Sequence, residues 1–312
     1  MRYPAMGMMI LFSMMLLIPF LLPRTGTAAT SDQYLKVASA HIVPHKGKAV
    51  TGSGFLRRVA GLDEHQRENA ILDMLLQGNI PDFLRHFKPV TLSHALADGH
   101  IVEATFFVMP DYLAIGTDSD FVRMPMNMMS AGQIAARFGC VLPTCKMVDA
   151  IYAQSDFHYK PQPMTPGPQM RSTAYYSTHN RKIQAQRLSA GIALGTLVAG
   201  HKKDVVITNR LLHKRDRIAI YGWHQLSGTP IQPLSTVHGA GYADYSHGIR
   251  LVSDTVLIDG TPRSLCQALE DPRLAPVFSD EGPIQHVRWM MQQPAQYFSR
   301  RSSADHGQPQ LQ

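Results

Sequence analysis

Cysteine is scarce, with Cys140, Cys145 and Cys266 serving 312 positions. An odd number this small allows at most one internal disulfide and leaves one thiol buried, reactive or paired elsewhere. No CxxC pair is present, which excludes a metal site of that type. Long apolar runs are equally rare. The longest, Met8 to Leu22, spans 15 residues, is interrupted by Pro19 and is followed by Pro23, whereas a membrane-crossing helix needs about 20 apolar residues. With Arg2 before it and Thr27, Ala28 and Ala29 after it, residues 1–29 have the layout of a cleaved secretory signal, an uncleaved anchor being the alternative. No cysteine stands near that cleavage region, which argues against a lipid-modified N-terminus. The mature chain is therefore expected to be exported, periplasmic or secreted, with no membrane span. Clustered charge is missing too. The formal charge is +7, yet the basic residues are scattered except in "HKKD" (201–204) and "LLHKRDR" (211–217). That pattern contains no nucleic-acid module and suits electrostatic steering toward an anionic envelope polymer.

What is present is ordinary globular material, 45% hydrophobic and 17% charged, with no internal repeat. The polar segment from Ser31 to Gly54, with His41 and His45, reads as a loop or the start of an edge strand. Apolar spacing predicts a helix over 63–79 ending at Gly78-Asn79, and a short one at "IPDFLRHF". The β-branched and aromatic run over 100–126 reads as three short strands broken at Pro110-Asp111 and "GTDSD". Helical spacing returns over 130–139, with Ser130 as a possible cap, and over 142–155, which opens near Pro143. "YKPQPMTPGPQM" (159–170) holds four prolines and a glycine, making it a surface connection. Beyond it a helix is expected around "AYYSTHNRKIQAQRL". Strands follow over 204–210, 218–224, 231–237, 249–252 and 256–258, then a helix over 264–270 and a disordered tail over 299–312. The fold class is α+β. A mixed region (30–158) and the Pro-rich connection (159–170) precede a mainly antiparallel β region (171–298).

Chemistry-bearing residues concentrate in one stretch. "STVHGAGYADYSHGIRL" (235–251) holds two histidines, an aspartate, two tyrosines, two serines and an arginine. Five histidines fall between 201 and 247, more than an even spread would place there. His224 is expected to end one strand, His238 the next, and His247 to begin a third, so three imidazoles would meet at one rim of an antiparallel sheet, where scaffolds present functional groups. Gly239, Gly241 and Gly248 would let a substrate or metal come close to the backbone. A polar hairpin with surface histidines is the plain alternative.

"SHGIRL" (246–251), with His238-Gly239 upstream, resembles the SHGC(I/V)R(L/M) signature of L,D-transpeptidases. That family's nucleophilic cysteine is replaced here by Ile249, so the resemblance implies the shape without the nucleophile. "VHGAGYAD" (237–244) and Trp223-His224 resemble the SxHxxGxAxD core and second element of zinc D,D-peptidases and D-Ala-D-Ala dipeptidases, although Asp244 arrives one residue early and Trp223-His224 lies upstream. The second resemblance implies a zinc site of His238, Asp244 and either His224 or His247, with a fourth position for water. Each resemblance covers less than a tenth of the chain.

A thiol offers a third arrangement. Cys140, just before a helix expected near Pro143, would act with a strand-borne histidine in an order similar to papain-like amidases, unless it is buried or disulfide-bonded. "GHKKD" reads as a solvated charge run, or as Lys202 or Lys203 facing an anion. Asp111, Asp118 and Asp120 read as turn acids, and His179 and Asn180 follow two tyrosines on a helix. The expected function is an exported hydrolase of an amide or peptide bond in a peptidoglycan-like envelope polymer. Its site is His224, His238, Asp244, Ser246 and His247, with Arg250 clamping a substrate carboxylate, and it works with zinc or without a cofactor. The alternatives are a non-catalytic envelope glycan- or polymer-binding protein and a Cys140-dependent amidase.

Overall fold

The computed structural model describes residues 42–45 and 47–291. The expected signal segment (1–29), His41 and the expected tail (299–312) therefore lie outside the described residues. Helix α1 (Gly52–Val59) begins where Thr51 accepts the Gly54 amide proton, so the chain is helical where the sequence suggested a loop. Helix α2 (Glu64–Leu76) opens with a capping box: Asp63 accepts from the Gln66 amide and the Gln66 side chain accepts from the Asp63 amide. It stops at Gly78, whose φ of 76° is a left-handed conformation that only glycine adopts cheaply. "IPDFLRHF" yields a single 3-10 turn, Asp82–Arg85.

Strand β1 (Lys88–Ala95) pairs antiparallel with β2 (Ile101–Val108). The expected strand breaks recur as β3 (Ala114–Thr117) and β4 (Asp120–Arg123), which form their own hairpin. Helix α3 (Met128–Arg137) starts earlier than expected because Asn127, not Ser130, is the cap; the Asn127 side-chain Oδ1 accepts from the Ser130 amide. After β5 (Cys140–Val141), helix α4 (Cys145–Gln154) is capped by Thr144. Strand β6 (Phe157–His158) pairs in parallel with β7 (Val198–Ala199). Between them lie the Pro-rich connection and helix α5 (Thr173–Ser189).

Two larger sheets position the site. In one, β1, β2, β12 (Val252–Ile258) and β13 (Thr261–Ser264) run in that order, all antiparallel, and β5 also pairs with β12. In the other the order is β10 (Pro230–Ser235), β9 (Ile220–His224), β8 (Lys203–Val205) and β11 (His247–Gly248), with β11 parallel to β8. Helices α6 (Leu265–Glu270) and α7 (Ala275–Phe278) follow β13, and the chain is helical again over 287–291. The architecture is the expected mixed α+β, with mainly antiparallel pairing. Residues 249–251 bridge the two sheets: Met109 N donates to Leu251 O (3.0 Å) and Leu113 N to Ile249 O (2.8 Å). One apolar core runs from Ile42 to Met291, so residues on both sides of the Pro-rich connection share it. Among the described residues no helix is long and apolar enough to cross a membrane.

Candidate active site

Residues 236–246 form a loop between β10 and β11, held by backbone bonds at several points. Ile218 N donates to His238 O (3.1 Å), Ala240 N to Asp216 O (2.7 Å) and Tyr245 N to Met170 O (3.0 Å). Asp244 organises the C-terminal part. Its Oδ1 accepts from the Ser246 amide (2.7 Å) and hydroxyl (2.5 Å), and its Oδ2 accepts from the Tyr242 hydroxyl (3.0 Å). This Asx turn aims His247 back at the same carboxylate, with Nε2 at 3.9 Å from Oδ2. Asp244, Ser246 and His247 are all buried. The rim is half-buried: the His238 ring stacks on Tyr242 at 4.0 Å, Tyr242 meets His247 edge-on at 5.6 Å, and the Arg171 guanidinium lies 5.3 Å over Tyr242.

Burial lowers the His247 pKa, against the pull of Asp244, so the imidazole is neutral at physiological pH. Burial by itself would raise the Asp244 carboxyl, but neighbouring His247 and the two Ser246 bonds outweigh it and hold the group below its usual range. Neither ring nitrogen of His247 has a hydrogen-bond partner in the protein, and the same is true of both nitrogens of His179 and of the Trp223 indole. Orphaned buried polar atoms are rare and mark places completed by water, a ligand or a reacting group. His179, Trp223 and Tyr245 pack together, with ring centres 5.0 to 6.4 Å apart, and the Lys203 ammonium lies 5.5 Å from the Trp223 ring.

The "GHKKD" run is not a solvated charge run throughout. Lys202 is 1% exposed, and its Nζ donates to Tyr245 O at 2.6 Å. Burial, with Arg123 adding to it, pushes its pKa down to about 7. Asp111, read as a turn acid, does accept from the adjacent Tyr112 amide (2.6 Å), but it mainly anchors a buried network. It accepts from Arg123 Nε (2.9 Å) and Nη2 (2.5 Å) and pairs with His201 Nε2 (3.0 Å); Asn180 Oδ1 accepts from Arg123 N and Nη1, each at 3.2 Å. Asp118 and Asp120, expected to make local backbone bonds, instead accept from distant segments, Asp118 from Phe83 N and Asp120 from the Ser53 amide and hydroxyl. The network had no sequence signal because its members come from positions 111, 123, 180 and 201 and meet only where the two sheets join.

Several expected residues lie elsewhere. His224 does end a strand, but alternation along β9 turns it away from Trp223 and the loop. Its Nε2 pairs with Asp149 Oδ1 (2.8 Å) and its ring stacks on Tyr152 (4.5 Å). The three imidazoles therefore do not meet at one rim, and β11 is parallel to its neighbour instead of antiparallel. Arg250 is 1% exposed and donates to Met109 O (3.1 Å) and Val198 O (2.7 Å) while lying 4.2 Å over the Tyr112 ring, which makes it a brace between segments and not an exposed clamp. The Ser246 hydroxyl is committed to Asp244. Cys140 sits in β5, donates weakly to Phe138 O (3.4 Å), and has its thiol pushed up by burial, while Cys145 occupies the first turn of α4. All three cysteines are free. Ile249, the counterpart of the transpeptidase nucleophile, is fully buried in the core.

His238, Asp244 and His247 adjoin one another, but among the described residues no three His, Cys, Asp or Glu side chains converge as a metal-holding group. The expected set including His224 is not assembled, because His224 pairs with Asp149. Comparison with family models, with curated proteins and with solved structures found no match.

Proposed function

We propose that the chain is an exported hydrolase cleaving an amide or peptide bond in an anionic envelope polymer. The observation that supports this reading is the buried Asp244–His247 pair, a neutral imidazole with free ring nitrogens beside an oriented carboxylate. His247 takes a proton from the attacking water, whose oxygen adds to the carbonyl carbon. It then returns that proton to the leaving nitrogen as the C–N bond breaks. Asp244, 3.9 Å from Nε2, stabilises the transient imidazolium by its charge. Tyr242, edge-on against His247, must swing aside to admit substrate. The net charge of +7 favours encounter with an anionic polymer.

A second reading, a non-catalytic polymer-binding protein, is favoured by the full burial of His247. Incubation with peptidoglycan fragments, read by mass spectrometry for new amine and carboxyl ends, separates the two. The hydrolase reading expects turnover that falls about 10²- to 10⁴-fold in His247→Asn with the fold retained. Fragment binding with no turnover in the wild type selects the binding protein. Elemental analysis of the wild type and His238→Ala decides whether a metal takes part.

A further inference from the structure

A cavity of about 410 Å³ lies between α2, α3, α5 and the loop that carries Asp244. That is within the usual size of small-ligand sites. Glu64, Glu68 and Leu72 line it at four-residue spacing along one stripe of α2, with Met129 and Tyr176 adding apolar surface. Gly241 and Ala243 form the wall on the site's side, fixed by Met128 N donating to Ala240 O (3.0 Å) and by the Tyr176 hydroxyl donating to Ala243 O (3.0 Å). The cavity and the Asp244–His247 pair are therefore two sides of one loop.

Charges of both signs surround it: Glu64 and Glu68 with Arg67 and His65. The Arg67 guanidinium donates to Arg171 O (2.6 Å) and Thr173 Oγ1 (3.2 Å) and lies 4.8 Å over the Tyr176 ring, so its donors serve the start of α5. Glu64 is paired with Arg171. Glu68 is half-buried and accepts from Asn127 N (3.0 Å), and among the described residues it makes no ion pair. A carboxylate that is partly desolvated, feels Arg67 and His65 only without a direct ion pair, and faces a cavity with an apolar wall is complementary to a cation on an alkyl chain.

We propose that this cavity is a subsite for an alkylammonium group, with Glu68 pairing the ammonium and Leu72, Met129 and Tyr176 packing its methylenes. The proposal rests on the hydrolase reading in one respect: it makes the substrate an amine-bearing peptide whose scissile bond lies across the 239–247 loop.

The test is calorimetric titration of the full chain at pH 7 with Nα-acetyl-lysine N-methylamide and with its Nε-acetylated form. Saturable binding of the first, at least tenfold weaker for the second and at least tenfold weaker in Glu68→Gln, is the expected result. Glutamine keeps the acceptor for Asn127 N, so the helix cap and the fold survive the change. Equal binding of both probes, or none of either by the folded wild type, overturns the proposal. Turnover of envelope fragments is measured separately. Discrimination between probes without turnover would remove the hydrolase reading alone, and turnover without discrimination would remove the subsite alone.

Discussion

Replacing Asp111 with Asn tests whether the buried network beneath Lys202 holds the two sheets together. Asp111 is 4% exposed and accepts from Arg123, His201 and the Tyr112 amide, while Arg123 is 1% exposed. Asparagine keeps the shape and one acceptor but removes the charge, leaving a buried guanidinium with only neutral side-chain acceptors, the new amide and Asn180. Breaking a buried pair from one side costs about 3–5 kcal/mol, because the surviving charge stays desolvated. Burial works to raise the Asp111 pKa, but Arg123 and His201 outweigh it and hold the carboxyl far below its usual range. A depressed folded pKa stabilises above the unfolded value, near 4, and that stability is lost as pH falls, by about 1.4 kcal/mol per pH unit. Urea unfolding at pH 7 should therefore show a deficit of about 3–5 kcal/mol in Asp111→Asn, narrowing below about pH 4. A deficit under about 1 kcal/mol, or one that stays constant from pH 7 to pH 3, would refute the reasoning.

Asp204 carries the opposite sign: burial, against the pull of Arg250, pushes its carboxyl up to about 6, and it accepts from the Tyr112 hydroxyl at 2.8 Å. A raised folded pKa stabilises below the unfolded value and loses that contribution as pH rises through about 6. Asp204→Asn should therefore gain up to about 3 kcal/mol relative to wild type between pH 4 and pH 7 in denaturant titrations; a flat difference would count against it. Gly78→Ala combines a left-handed backbone with a Cβ only 2.2 Å from Val43 O. It should lower stability by about 1–3 kcal/mol, measurable as a drop in Tm.

Local patterns carried most of the element assignments. The stop at Gly78 and the two strand breaks between 100 and 126 are decided within a few residues, where spacing and turn chemistry act, whereas the cap of α3 fell at Asn127 and not at Ser130. Helix α1 escaped notice because its start depends on the Thr51 cap within an otherwise polar segment. The 235–251 stretch was legible as chemistry, and His238, Asp244 and His247 do adjoin.

Which histidines act together was a tertiary decision. One step along β9 separates Trp223, packed near His179 and Tyr245, from His224, which faces Asp149, since side chains alternate across a sheet. The burial of Lys202 and Arg250, the Asp111–Arg123–His201 network and the cavity beside Glu68 depend on residues distant in the chain. The sequence by itself determined the α+β class and the polar loop that carries the candidate pair. Only the folded chain decided which charges lost their water, because desolvation depends on what packs around a group, and the neighbours that supply that packing are joined by the core and not by the chain.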